Sequence, residues 1–223
     1  PVSVGENVLA VGDDLRAGER ILAAGSRLKS HDIGAFIHGN AHPEIFEIAT
    51  NGLLPALRDL RSEGVIRAFG LGVNESQVCS QVLDLFDVDC FLLAGRFTLL
   101  EQEPLDDLLP KCLERNVSII IGGPYNSGLL ARAERSQATY DSKPVDDHRW
   151  ALAQKSRQIC ERHQVDIRAA ALQYPLRHAA VASVIPGSAS LQELEANLNL
   201  VQAPIPPALW SDLDAAGLAR ALG

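Results

Sequence analysis

The stretch Ser118-Ile119-Ile120-Ile121-Gly122-Gly123-Pro124-Tyr125-Asn126-Ser127-Gly128-Leu129-Leu130 decides how this chain is read. The β-branched run from Ser118 to Ile121 is apolar at nearly every position, which predicts a strand buried on both faces, as in a parallel sheet. It breaks at Gly122-Gly123-Pro124, where no Cβ on the glycines keeps a ligand away from the backbone. A second segment, Ser183-Val184-Ile185-Pro186-Gly187-Ser188-Ala189-Ser190, follows the same plan of apolar strand, Pro-Gly turn and Ser-rich helix start. Strand ends that open onto helix N-termini predict an α/β protein binding an anion at the carboxyl edge of its sheet. The alternative is two ordinary βα turns with no ligand, because Gly-rich turns alone are weak signals.

Outward from these segments the chain alternates helix and strand. Expected helices cover 43–63, 75–86, 105–115, 146–163, 167–176, 190–201 and 206–217. Expected strands cover 66–73, 90–94, 118–121 and 182–185, and a polar loop runs through Lys143. Repeated βα units of this kind give a parallel sheet. Residues 1–30 have a different rhythm, short, alternating and Gly-punctuated around Gly5, Gly12, Gly18 and Gly25. They predict a small β-element.

Composition excludes several partner classes. The 223 residues are 47% hydrophobic and 22% charged, enough for a real core. A net charge of −8 argues against nucleic acid and anionic membranes, both of which select basic surfaces. No apolar run reaches the roughly 18 residues of a membrane span and no signal peptide opens the chain, so a cytoplasmic protein is expected. The four cysteines, Cys79, Cys90, Cys112 and Cys160, show no CxxC pairing and are expected to be reduced. The chain starts at Pro1 and has no Met, as a trimmed or partial sequence would.

Residues 31–217 resemble the aldo-keto reductases, and within them the D-threo-aldose 1-dehydrogenase / L-fucose dehydrogenase branch. The likeness is carried by His31-Asp32-Ile33-Gly34-Ala35-Phe36, by Arg67 to Asn74 and by Leu93-Ala94-Gly95-Arg96-Phe97-Thr98-Leu99-Leu100-Glu101-Gln102. The Gly122–Leu130 and Ser183–Asn197 segments complete it. It implies a (β/α)8 barrel that moves hydride between a nicotinamide cofactor and a sugar carbonyl or hemiacetal carbon. The likeness covers the carboxyl half of that barrel. The fold class expected is therefore α/β, a partial TIM-type (β/α)8 barrel (residues 31–223) behind a small N-terminal β-element (residues 1–30). Residues 2–30 are similar to a segment of the molybdopterin molybdenumtransferases, in Gly5-Glu6-Asn7-Val8, Leu15-Arg16-Ala17-Gly18-Glu19 and Ala24-Gly25-Ser26-Arg27-Leu28.

The resemblance also assigns roles. A Tyr general acid/base, supported by Lys and Asp, comes from the family's first strands and has no matching position here. His31 alone matches a catalytic position, that of the His orienting the substrate oxygen; as a plain residue it reads equally as a surface-loop histidine. Asn74 matches the residue holding the nicotinamide carboxamide. The turn made by Gly122, Gly123, Pro124, Asn126, Ser127 and Leu129 is expected to contact pyrophosphate through its backbone, and Pro186, Gly187, Ser188 and Ser190 to meet phosphate. Asn197 matches the adenine contact. Family members preferring NADP place a Lys and an Arg where this chain has Gly187 and Glu193, so NAD is the expected cofactor. Arg96 is a candidate at the substrate mouth or, alternatively, a salt-bridged structural arginine. His31, Asp32, His38 and His42 lie close in sequence, but their spacing fits no standard ligand set and no metal is expected.

The expected partner is a small aldose, with a homo-oligomer closing the open half-barrel. The inner face of that half-sheet is expected to expose Phe69, Leu71, Phe91, Leu93, Ile119, Ile121 and Val184. The competing function is a truncated or recombined half-barrel that binds dinucleotide without catalysis.

Overall fold

A computed structural model describes residues 43–222. The N-terminal β-element, His31 and the His31/Asp32/His38/His42 group lie outside the described residues. Four parallel strands form the central sheet: β1 (Gly70–Val73), β2 (Cys90–Ala94), β3 (Ser118–Gly122) and β6 (Val181–Ile185), in the order β1-β2-β3-β6. The register runs Leu71 to Phe91, Leu93 to Ile121 and Ile121 to Val184, with one irregularity between Ile119 and Ile120. The helices between the strands are α3 (Ser76–Leu85), α4 (Leu108–Glu114), α5 (Asp147–Arg162) and α6 (Ile167–Leu176). After β6 come α7 (Leu191–Gln202) and α8 (Pro207–Ala215).

Burial alternates along the strands. Leu71, Val73, Phe91, Leu93, Ile119 and Ile121 are buried, while Gly72, Cys90, Leu92, Ala94 and Ile120 are only partly so. Helices α3, α4 and α6 pack on β1, β3 and β6, and the buried set forms one core with Val78, Val82, Leu109 and Cys112 of those helices. This corrects the expected inner face. Phe69, Leu71, Phe91, Leu93, Ile119 and Ile121 lie in the buried core rather than on an open surface, and only Val184 is partly exposed. Burying such side chains contributes about 1.5–3 kcal/mol each.

Four smaller departures have local causes. The expected helix 43–63 is α1 (Pro43–Ile48), a π-turn (Ala49–Leu53) and α2 (Leu54–Ser62). Pro55 has no N–H for the regular ladder, and the Leu54 N–H reaches back to the Ala49 carbonyl. The expected helix 105–115 splits into a 3₁₀ turn (Glu103–Leu105) and α4. The first strand starts at Gly70 rather than Ile66. The Phe69 N–H is taken by the Asp89 carboxylate at 2.8 Å, and the Phe69 carbonyl accepts from the Asp89 N–H at 2.9 Å. The polar loop contains a small hairpin, β4 (Thr139–Tyr140) against β5 (Lys143–Pro144). Its two turn residues, Asp141 and Ser142, have φ of 48° and 60°, the left-handed pair a tight hairpin requires. All four cysteines are free, and Cys79, Cys112 and Cys160 are buried. Burial pushes the Cys112 thiol up to about 12 and Cys160 to about 11, so they behave as small hydrophobes.

Candidate cofactor site

The turns after β3 and β6 meet at the carboxyl edge of the sheet. The Gly95 N–H donates to the Gly122 carbonyl at 2.9 Å, and the Gly123 N–H to the Ile185 carbonyl at 3.2 Å. Gly123 has φ +58°, which lets the chain turn sharply off the strand end. Asn126 follows at φ 49° and Ser127 at 55°. The loop then folds on itself: the Asn126, Gly128, Leu129 and Leu130 N–H groups donate to carbonyls of residues 123–126 at 3.0–3.1 Å. Its side chains lock it down. Asn126 is buried; its Oδ1 accepts from the Thr98 hydroxyl at 2.8 Å and its Nδ2 donates to the Gly95 carbonyl at 3.2 Å. Leu129 is buried in the core.

A cavity of about 360 Å³ opens beside this loop. Of the residues singled out in the sequence, Gly123, Ser127, Gly187, Glu193 and Asn197 line it. Tyr125, Gly128, Ala131, Arg132, Arg168 and Ala196 also line it; Tyr125 and Gly128 fall within the turn expected to contact pyrophosphate, and the other four had no expected role at the cofactor. Tyr125 lay within the quoted turn and was open to inference. Arg132 lies past the Gly-rich motif and Arg168 on α6, and only tertiary structure brings those two guanidinium groups together here. Gly122, Pro124, Asn126, Leu129, Pro186, Ser188 and Ser190 belong to the same two turns without lining the cavity. Asn74 lies just past β1, and Arg96 just past β2.

The second turn is organised by the start of α7. Ser190 caps the helix, its Oγ accepting from the Glu193 N–H at 3.2 Å, and the Glu193 carboxylate accepts from the Ala189 N–H at 2.7 Å. Asn197 bridges the two turns, its Oδ1 accepting from the Tyr125 hydroxyl at 2.6 Å and its Nδ2 donating to the Ser188 Oγ at 2.9 Å. Arg168 is fixed by Asp166, the N-cap of α6. Its Nη2 lies 2.6 Å and its Nε 3.1 Å from the carboxylate. That pairing holds the Asp166 carboxyl below its ordinary value despite partial burial, which acts the other way.

Arg96 is placed away from this cavity's lining, in an ion pair with Asp141 at 3.0 Å and within 3.4 Å of the Tyr140 hydroxyl. The three tyrosines are all hydrogen-bonded. Tyr125 donates to Asn197, Tyr140 to Glu101 at 2.5 Å and Tyr174 to the Arg220 carbonyl at 3.0 Å. Burial pushes each phenol up to about 12, the reverse of what a general acid/base at neutral pH needs. Among the described residues no group of three or more His, Cys, Asp or Glu side chains is placed to hold a metal, and no helix is long and apolar enough to cross a membrane.

The Aldo/keto reductase family model matches residues 35–217. The chain belongs to this family. Two relatives within it are similar at the level of individual residues. Pyridoxal 4-dehydrogenase of Microbacterium luteolum is 36% identical over 189 residues, covering 84% of this chain and 55% of that protein. D-threo-aldose 1-dehydrogenase of a Pseudomonas species is 35% identical over 173 residues, covering 77% of this chain and 53% of that protein. The chain thus spans about half the length of these curated relatives. The apo form of aldo-keto reductase AKR11C1 from Bacillus halodurans superposes with a TM-score of 0.60 at 25% identity, over 76% of this chain and 57% of that one. The four-stranded parallel sheet therefore belongs to an aldo-keto reductase α/β fold. The family match begins after His31, and the resemblance of residues 2–30 to molybdopterin molybdenumtransferases lies outside it.

Proposed function

We propose that this chain is the cofactor-binding portion of an aldo-keto reductase whose reaction is the NAD-dependent oxidation of an aldose at its hemiacetal carbon. The observation that carries the reading is the cavity at the carboxyl edge of the sheet, where the turns after β3 and β6 converge. Its lining suits a dinucleotide: two guanidinium groups for phosphate, and amide and hydroxyl groups for ribose and base. Nicotinamide, when bound, accepts or gives the hydride. Gly122, Gly123, Pro124, Asn126, Ser127, Leu129, Pro186, Gly187, Ser188, Ser190 and Asn197 build and position this site, and Asn74, past β1, takes the nicotinamide carboxamide. Glu193, with one carboxylate oxygen on Ala189, keeps the other for a ribose hydroxyl and repels a 2′-phosphate, which favours NAD over NADP.

Turnover needs an acid/base, and none of the three tyrosines supplies one. The competing reading, a partial barrel that binds dinucleotide without catalysis, rests on that observation. The partial barrel works in the cytoplasm and pairs with a second copy through the β6 edge, where Ile185 is exposed; Leu191, Leu194 and Leu198 of the following α7 are exposed too. The test is calorimetric titration with NAD, followed by assay of NAD reduction with L-fucose and with pyridoxal. NAD binding with L-fucose oxidation supports the full proposal, and binding without turnover supports the competing reading. Preference for pyridoxal would move the substrate class, and no NAD binding would remove both readings. Light scattering tests the pairing, which a monodisperse monomer would exclude.

A further inference from the structure

Most of the backbone donors that the family resemblance assigns to phosphate in the turn after β3 are spent inside the protein. In the turn after β3, the N–H groups of Gly123, Asn126, Gly128, Leu129 and Leu130 all donate to backbone carbonyls. In the turn after β6, the Ala189 and Glu193 N–H groups donate to side chains of the helix cap. The Ser188 Oγ accepts from Asn197. A doubly charged diphosphate in this cavity needs other partners, because leaving such charge without them is costly.

Two cations line the same cavity. Arg168 presents a guanidinium whose orientation is set by the fork to Asp166, which leaves its Nη1 edge unused by that carboxylate. Arg132 stands across the Gly128 bend, with its Cγ 3.9 Å from where a Gly128 Cβ would be. No ion pair joins Arg132 to another described residue; its backbone is engaged, the N–H donating to the Gly128 carbonyl at 3.0 Å and the carbonyl accepting from Arg157 at 2.9 Å. Among the described residues of the lining the one carboxylate, Glu193, is already half satisfied by Ala189. Planar guanidinium groups match phosphate oxygens in pairs, which a lone lysine does not.

We propose that Arg132 and Arg168 are the diphosphate-binding pair of this cavity, with Asp166 as the positioning residue for Arg168. The assignment rests on the dinucleotide reading of the site but concerns the part common to NAD, NADP and ADP. It makes the arginines affinity residues and leaves discrimination at the 2′ position to Glu193 and Gly187.

The test uses the full 223-residue chain, titrated by calorimetry with ADP, adenosine, NAD and NADP. The parent is compared with Arg132→Gln, Arg168→Gln and Arg168→Lys, each with its thermal midpoint recorded. Arg132 is exposed, so its variant keeps the experiment informative even where Arg168→Gln disturbs α6. ADP should bind more tightly than adenosine. Each Gln variant should weaken ADP, NAD and NADP alike by roughly ten- to a hundredfold, as loss of a charge-assisted hydrogen bond does, and leave adenosine unchanged. Arg168→Lys should fall between, since it keeps the charge and loses the fork. ADP no tighter than adenosine, Gln variants as tight as the parent, or a loss confined to NADP would each overturn the assignment. ADP binding through the two arginines with no binding of NAD would leave the pair in place and remove the dinucleotide reading instead.

Discussion

Replacing Gly187 by Lys and Glu193 by Arg should reverse the cofactor order, and the structure fixes what that double change gains and costs. A Cβ built at Gly187 meets nothing within 4 Å, so a lysine fits there without displacing the turn. Glu193 is different, because its carboxylate also accepts the Ala189 N–H at 2.7 Å in the cap of α7. Losing that contact costs about 1 kcal/mol, or roughly 2–4 °C in melting temperature for a domain of this size. On the binding side, removing an exposed like charge contributes about 1 kcal/mol or less. Each new charge-assisted hydrogen bond to a phosphate adds about 1.5 kcal/mol at the low end appropriate to exposed groups. The NAD-to-NADP affinity ratio should therefore move by about 2–4 kcal/mol, roughly 30- to 1,000-fold.

Glu193→Gln separates the two roles. Its amide oxygen still accepts from Ala189, so melting should hold while NADP binding improves by up to about fivefold. Calorimetric titration of parent, Gln variant and double variant with both dinucleotides reads every arm. Equal affinities for NAD and NADP in the parent and in the double variant would refute the reasoning, because the charge at these positions would then have no bearing on the 2′ group.

Gly70→Ala should unfold or strongly destabilise the sheet, by about 3 kcal/mol or more, because its Cβ would fall 1.9 Å from the Cys90 carbonyl oxygen; denaturant unfolding beside a Gly187→Ala control, expected to be nearly neutral, checks it. Asn126→Ala should cost about 2–4 kcal/mol, from the lost Thr98 and Gly95 contacts and from φ 49°, and Asn126→Gly about 1 kcal/mol less because glycine tolerates that φ; equal losses would rule out the backbone contribution. Burial holds His178 below its ordinary pKa, with its Nδ1 accepting from the Ala180 N–H. The folded state thus binds fewer protons than the unfolded one below about pH 6.5, so this contribution to stability is complete above that pH and lost as pH falls through the folded value. Melting scans from pH 7.5 to 5 should show a decline that His178→Gln lessens, and an unchanged slope would contradict it.

The strands were legible because their residues alternate or run apolar between turn signals, and all four expected strands formed within a few residues of their expected ends. The covered face was not legible. In Ser118–Ile121 three consecutive positions are isoleucine, so periodicity cannot tell which of them the helices cover; Ile119 and Ile121 are buried and Ile120 is not. The hairpin at Asp141 and Ser142 was hidden because neither residue is the glycine that normally announces two positive φ values. At the site, the turns after β3 and β6 were readable from Gly122-Gly123-Pro124 and Pro186-Gly187. Arg132 and Arg168 were not, since 35 residues and a whole helix separate two side chains that share one cavity.

That separation bears on how the site divides its work. Backbone donors in the turn after β3 are consumed in shaping it, which makes the loop stiff and leaves its edge to side chains from elsewhere. Cationic groups arrive from the Gly128 bend and α6, and the polar groups proposed to discriminate between dinucleotides from the start of α7. Each can vary without disturbing the Thr98–Asn126 tie that holds the loop to the end of β2. Proton transfer belongs to none of these elements. The only tyrosine on the cavity, Tyr125, donates to Asn197 and is pushed up to about 12, so its hydroxyl serves to join the two turns rather than to move a proton. Tyr125→Phe should accordingly loosen dinucleotide binding through Asn197 and leave any pH–rate profile in place. A profile that loses a limb in that variant would make Tyr125 the acid/base and overturn this division.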